Sequence, residues 1–210
     1  MRLVAVSAGL STPSSTRLLA DRLAESARGE LEARGHEVRV DVIELRELAV
    51  AVANHLVTGF PAPPLATAID AVTGAHGLIA VTPVFTASYS GLFKSFFDLI
   101  DPEALTGKPV LVAATGGTAR HSLVLEHALR PLFSYLRAAL VPTAVYAASE
   151  DWGSGGDDYT EGLPARIRRA GGELAALMAA RPDRETNRDD VDEGDDVDAL
   201  ERQLSDLRFD

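Results

Sequence analysis

Five short apolar runs recur along the chain: Leu3–Val6, Val38–Ile43, Leu78–Val81, Val110–Ala114 and Val141–Tyr146. Between them the apolar positions return every three or four residues. Leu18-Leu19, Leu23, Ala27 and Leu31 make one such stripe, with Gly35 just beyond it as a stop. Leu92-Phe93, Phe96-Phe97 and Ile100 make a second, and Leu125, Leu129, Leu132-Phe133 and Leu136 a third. Short apolar runs bounded by turn residues predict strands, and stripes of period near 3.6 predict helices. Runs one, three and four are almost wholly apolar, as befits central strands covered on both faces. The second alternates, with Val38, Val40 and Val42 set against Arg39 and Asp41, which suits an edge strand. Strand and helix in alternation predict an α/β fold with a parallel sheet.

Five strands with intervening helices match the flavodoxin-like doubly wound order 2-1-3-4-5, with helices on both faces. In that order a ligand sits at the carboxyl ends of strands 1 and 3, beside the topological switch point. The pattern makes a test: unusual chemistry should follow strands 1, 3 and 4. It should be missing after the others.

After strand 1 comes Ser7-Ala8-Gly9-Leu10-Ser11-Thr12-Pro13-Ser14-Ser15-Thr16-Arg17. Ser14, Ser15 and Thr16 fall at a helix start, where free backbone amides and the positive end of the dipole favour an anion. The same hydroxyls can serve as an N-cap and nothing more. The segment matches neither glycine-rich phosphate fingerprint and has no lysine, unlike loops that hold a nucleoside triphosphate. Hydroxyls and amides better suit one non-reacting phosphomonoester. Arg17 is expected to point to solvent.

After strand 3 comes Thr82-Pro83-Val84-Phe85-Thr86-Ala87-Ser88-Tyr89-Ser90-Gly91. Pro83 stiffens the strand exit. Val84, Phe85 and Thr86 form an apolar ledge suited to a flat heteroaromatic ring, and Ser88 or Ser90 caps the next helix. After strand 4, Gly116-Gly117 within Thr115–His121 lets a ligand lie against bare backbone, or makes a simple tight turn. Strand 2 leads into Glu44-Leu45-Arg46-Glu47-Leu48, with no comparable chemistry expected. The test is passed.

Composition narrows the setting. The 210 residues are 46% hydrophobic, enough for one domain with a sizeable core. Cysteine is absent, which excludes disulfides and thiolate catalysis. The net charge is −11. Residues 183–210 carry 12 acidic and 4 basic side chains, so net −8 lies there and only −3 on the rest. Nucleic acid and anionic membrane are therefore not expected partners. No apolar run approaches the roughly 20 residues that span a bilayer, nothing reads as an export signal, and a cytoplasmic location is expected. The domain is expected over residues 1–181. An acidic tail over 182–210 follows, with a short helix at 198–208 marked by Leu200, Leu204 and Leu207. It is read either as a solvated tail or as a segment that docks onto a subunit or partner.

The three loops together resemble the NAD(P)H-dependent FMN reductase family, in the branch that supplies reduced flavin to two-component monooxygenases. The segments that carry the resemblance are SAGLSTPSSTRLL, TPVFTASYSGLFKSFFDLI and ATGGTARHSLVLEHALRPLFSYL. The resemblance implies that Ser7, Ser14, Ser15 and Thr16 surround the phosphate of FMN. It implies that Pro83, Val84, Phe85 and Thr86 edge the isoalloxazine, with Thr115, Gly116 and Gly117 on its other side. His121, beside that glycine pair, is read as capping the fourth helix or contacting phosphate or ring rather than as a catalytic residue. Relatives often carry an arginine in the first loop, and this chain has Ser7-Ala8-Gly9-Leu10 there. A looser grip on the phosphate would suit flavin that comes and goes. FMN and NAD(P)H are the implied cofactors. A homodimer or homotetramer with Lys94–Ile100 near its interface is the implied assembly, and a flavin-dependent monooxygenase the implied partner.

Hydride transfer between two such cofactors asks the protein for positioning rather than for an acid, base, nucleophile or metal. No catalytic side chain is therefore named. His36, His55, His76 and His127 have no metal-ligand spacing and read as surface or partner-satisfied histidines. A flavodoxin-type electron carrier and an FMN-bound quinone or azo reductase are the competing readings, the first disfavoured by the near-neutral body. Residues 49–64 read as a patternless covering segment. Trp152 is expected to pack against a neighbouring subunit or to cover the ring.

Overall fold

A computed structural model describes residues 1–153 and 162–181. The expectations for the tail 182–210, including the helix at 198–208, lie outside the described residues. Strands β1 (Arg2–Ser7), β2 (Arg39–Glu44), β3 (Gly77–Phe85) and β5 (Pro109–Gly116) form the sheet in the order β2-β1-β3-β5. All three of these pairings are parallel. Two short strands, β6 (Ala139–Leu140) and β7 (Val145–Ala148), both pair with β5 and share the outermost place. The doubly wound order 2-1-3-4-5 is thus present, with its fifth strand in two pieces.

That break falls inside the run Val141–Tyr146 that predicts one strand, and its cause is local. Pro142 has no amide to donate. The N–H and hydroxyl of Thr143 go instead to the Glu173 carboxylate, at 2.7 and 2.8 Å. The Arg130 guanidinium donates to the carbonyls of Val141 and Pro142, at 3.1 and 2.5 Å.

Side-chain alternation along the central strands explains their unbroken apolar character. Leu3 and Ala5 of β1, Ile79 and Val81 of β3, and Leu111 and Ala113 of β5 enter one core. That core is covered by α1 (Ser15–Glu32) and α6 (Leu163–Ala180). Val4, Val6, Leu78, Ala80, Val110 and Val112 point the other way. They meet α2 (Leu45–Thr58), α3 (Pro63–Thr73), α4 (Gly91–Phe97) and α5 (Arg130–Tyr135). Each face needs its own apolar set, so a central strand cannot alternate. β2 lies at the edge, as its alternation predicts.

Residues 49–64, patternless in sequence, are largely helical: 49–58 belong to α2, 59–62 link, and 63–64 open α3. The α2 sequence is apolar on nearly every side, and only Leu45 and Val52 are fully buried. No stripe marks its inner face. Gly59 closes α2 in the left-handed conformation, and Pro63 opens α3 at its first turn. Trp152 is partly buried against the α1–α6 core, and Arg22 of α1 lies 5.1 Å over its ring.

Candidate active site

The carboxyl ends of β1, β3 and β5 lie side by side, one strand spacing of about 4.8 Å apart. Ser7 stands opposite Val81, and Pro83 opposite Thr115. The Ala8 amide donates to the Val81 carbonyl at 2.9 Å, so the first loop leaves the sheet still bonded to β3. A side-chain bond ties the first turn of α1 to the end of β5: the hydroxyls of Thr16 and Thr115 are 2.8 Å apart. Thr16 is 2% exposed and Thr115 4%, so the bond is dry. The predicted residues therefore converge on one edge of the sheet.

The first loop is closed on itself. Ser14 caps α1 by accepting from the Arg17 amide at 3.2 Å. Gly9 presses against that cap: a Cβ built there would lie 2.0 Å from Ser14 Oγ. Ser7 is buried, and its hydroxyl accepts a long contact of 3.5 Å from the Gly9 amide. Of the four hydroxyls predicted here, Ser7 and Thr16 are buried, Ser14 is half-buried and Ser15 is exposed. Arg17 does not simply point to solvent. It bridges Asp21 at 2.8 Å and Glu44 at 2.6 Å.

The segment after β2 was expected to be chemically empty, and it is not. Arg46, in the first turn of α2, donates to the Ser11 carbonyl at 3.1 Å and to the Thr12 hydroxyl. It also pairs with Glu44 at 3.1 Å. The only trace of this in the sequence is the charged pair Glu44 and Arg46 beside a strand end.

After β3 the chain forms a hairpin. Val84 and Phe85 pair antiparallel with Tyr89 and Ser88 of β4 (Ser88–Tyr89). Thr86 and Ala87 at the tip have φ of 49° and 67°, the conformation a two-residue hairpin turn of this hand demands. Neither is glycine, so the tip carries backbone strain. The base is pinned by Thr82, whose hydroxyl accepts from the Ser90 amide at 3.0 Å and donates to the Pro83 carbonyl at 2.9 Å. Ser90, not Ser88, caps α4, accepting from the Phe93 amide. Phe85 is 45% exposed, Thr86 is exposed, and Pro83 and Val84 are half-buried, so the strand exit presents apolar side chains at the surface.

The glycine pair after β5 divides its roles. A Cβ on Gly116 would lie 2.0 Å from the Tyr146 hydroxyl, whereas Gly117 has nothing within 4 Å. Tyr146 donates to the Thr118 carbonyl at 2.8 Å and so fixes the loop from below. Burial, then Asp151 and Glu150, push its phenol pKa up, so it stays a donor at neutral pH. Gly116 is bare for the protein's own tyrosine, and only Gly117 offers open backbone. His121 is exposed at the end of the 3₁₀ turn Ala119–His121 and does not cap the next helix. Beyond it Leu125–Leu129 widens into a π turn, a feature often found at functional sites, which the sequence stripe conceals. His127 of that turn lines a groove of about 650 Å³ with Tyr89 and Lys94.

The model of one family, NADPH-dependent FMN reductase, matches residues 1–153. The chain belongs to this family. The FMN reductase (NADPH) of Pseudomonas aeruginosa is 40% identical over 185 residues, 86% of this chain and 94% of that protein. The NADH-dependent FMN reductase SfnF of Pseudomonas fluorescens is 40% identical over 181 residues, 85% and 92% of the two chains. An oxidoreductase structure from Corynebacterium diphtheriae superimposes with a TM-score of 0.81 at 48% identity, covering 86% of this chain and 98% of that one. This FMN reductase is an NAD(P)H:FMN oxidoreductase with a flavodoxin-like fold. Among its described residues no helix is long and apolar enough to cross a membrane.

Proposed function

We propose that this FMN reductase holds flavin along the edge formed by its three loops and releases it as a substrate. Ser14 and Ser15, with the first amides of α1, hold the phosphate; Ser7 and Thr16 shape that pocket from beneath. Pro83, Val84, Phe85 and Thr86 lie along one side of the ring, and Thr115, Gly116 and Gly117 along the other, with His121 at the rim. The donor set fits FMN: hydroxyls and helix-start amides suit one phosphate, and an exposed phenylalanine after β3 with open glycine backbone after neighbouring β5 suits a flat ring.

FMN held by these loops would supply the acceptor for a hydride from a nicotinamide, so no acid, base or nucleophile is asked of the chain. The chain's part is positional. The Thr16–Thr115 bond keeps the phosphate end and the ring end at a set separation, and Tyr146 sets the height of the third loop. Phe85 and Val84 exclude water from one edge, which strengthens polar contacts inside.

The observation that carries the release reading is the charge of the first loop. From Ser7 to Thr16 there is no cation, and the nearest arginines, Arg17 and Arg46, are already paired with Glu44. A phosphate held by neutral donors alone is held lightly. Reduced flavin would then pass to a flavin-dependent monooxygenase, with the reductase acting in the cytoplasm as a homodimer or homotetramer. Gel filtration after mixing with FMN, alongside steady-state oxidation of NADH and NADPH with FMN or riboflavin, tests this. The expected result is turnover that depends on added FMN, a lower KM for FMN than for riboflavin, and protein that elutes colourless. Stoichiometric yellow protein would overturn the release reading.

A further inference from the structure

Four charged side chains form a network beside the first loop. Arg17 bonds Asp21 and Glu44, and Arg46 bonds Glu44. Two guanidiniums and two carboxylates sum to zero, so the network adds no net field for an anion. Its members are not equivalent, however. Arg17 spends its donors on carboxylates, whereas Arg46 also turns one nitrogen onto the loop itself, at the Ser11 carbonyl and the Thr12 hydroxyl. Arg46 is thus the one residue shown to tie α2 to the loop between Gly9 and Ser14 among the hydrogen bonds given for that segment. Glu44 is well placed to aim it, being last in β2 and opposite Ser7 in the sheet.

We propose that Arg46 is a positioning residue that gives the enzyme its preference for phosphorylated flavin, by holding Ser11 and Thr12 so that the Ser14–Ser15 turn presents its donors. This rests on the phosphate reading given above. A planar fork with fixed donor directions can bridge a carbonyl, a hydroxyl and a carboxylate at once, and an ammonium on a flexible stem cannot do so in one geometry. The inference therefore concerns shape, not charge, and separates Arg46→Lys from a conservative change.

The test compares the kcat/KM ratio of FMN to riboflavin in the wild type, Arg46→Met, Arg46→Lys and Thr12→Val, with thermal melting of each. In both arginine variants the ratio is expected to fall about tenfold. In Thr12→Val, which removes a single acceptor and retains the charge network, it falls about threefold. If Arg46→Lys keeps the wild-type ratio, charge alone suffices and the proposal is overturned. If FMN and riboflavin lose efficiency in parallel, Arg46 supports only the fold, and the proposal is equally overturned. Should an arginine variant fail to fold, Thr12→Val decides: an unchanged ratio there overturns the proposal. A wild-type enzyme with no preference for FMN over riboflavin would instead remove the phosphate reading on which this rests.

Discussion

The loop after β1 and the hairpin after β3 border the same edge of the sheet and are built on opposite plans. The first is closed by side chains: Ser14 caps, Gly9 leaves room, Thr16 reaches β5 and Arg46 reaches across from α2. The second is a strand pair whose base is pinned by Thr82, and its tip holds two non-glycine residues in left-handed backbone beside exposed Phe85. A polar end that must offer donors in fixed directions needs such ties, because a hydrogen bond weakens steeply with angle. An apolar ledge has no such directional demand. The difference teaches which errors each region tolerates.

The largest effect is expected from Gly9→Ala. The new methyl cannot coexist with Ser14 Oγ, so the cap must move, and overpacking of this kind costs about 1–3 kcal/mol. Calorimetry should show the lost stability, and the KM for FMN should rise more than tenfold with a smaller change for riboflavin. Equal rises for both flavins would break the contrast. Thr16→Val comes next. It strands a buried Thr115 hydroxyl, at a cost of about 1–3 kcal/mol, which chemical denaturation can measure.

Phe85→Ala, on the other plan, should leave stability within about 0.5 kcal/mol because the side chain is already half in water. It should weaken FMN and riboflavin alike, by about three- to tenfold in kcat/KM. A loss confined to FMN would place Phe85 at the phosphate end and upset the scheme. The smallest effect is expected from Ala87→Gly. Relief of left-handed backbone is worth about 1 kcal/mol and is partly offset by the entropy glycine adds to the unfolded chain. A small rise in melting temperature checks it, and a fall would mean that the tip is not strained.

The sequence showed the sheet well, for a physical reason: burial on both faces forces continuous apolar runs, and Leu3–Val6, Leu78–Val81 and Val110–Ala114 all mark strands that the structure contains. The segment from Ala49 to Pro64 was opaque because α2 is apolar around most of its circumference and offers no stripe to read. Pro142 could have warned of the broken fifth strand, since a proline cannot join a ladder. At the site, Ser14, Phe85 and Gly117 were legible as loop chemistry at strand ends. Arg46 was not, because its contacts to Ser11 and Thr12 cross 35 and 34 residues of chain that only the fold brings together. Gly116 was legible as a glycine but not for its cause, which is the hydroxyl of Tyr146, thirty residues on.

The broken outer strand has a bearing on how this protein keeps to itself. Sheet margins invite foreign strands, and long, flat, unpaired ones seed aggregation. Here an intruder aligning with Ala139–Ala148 would find two ladder pieces too short to grip and a gap with little left to offer. Pro142 donates nothing, the Thr143 amide belongs to Glu173, and Arg130 occupies the carbonyls of Val141 and Pro142. A four-residue interruption thus serves as a guard against edge-to-edge pairing along that side of the sheet.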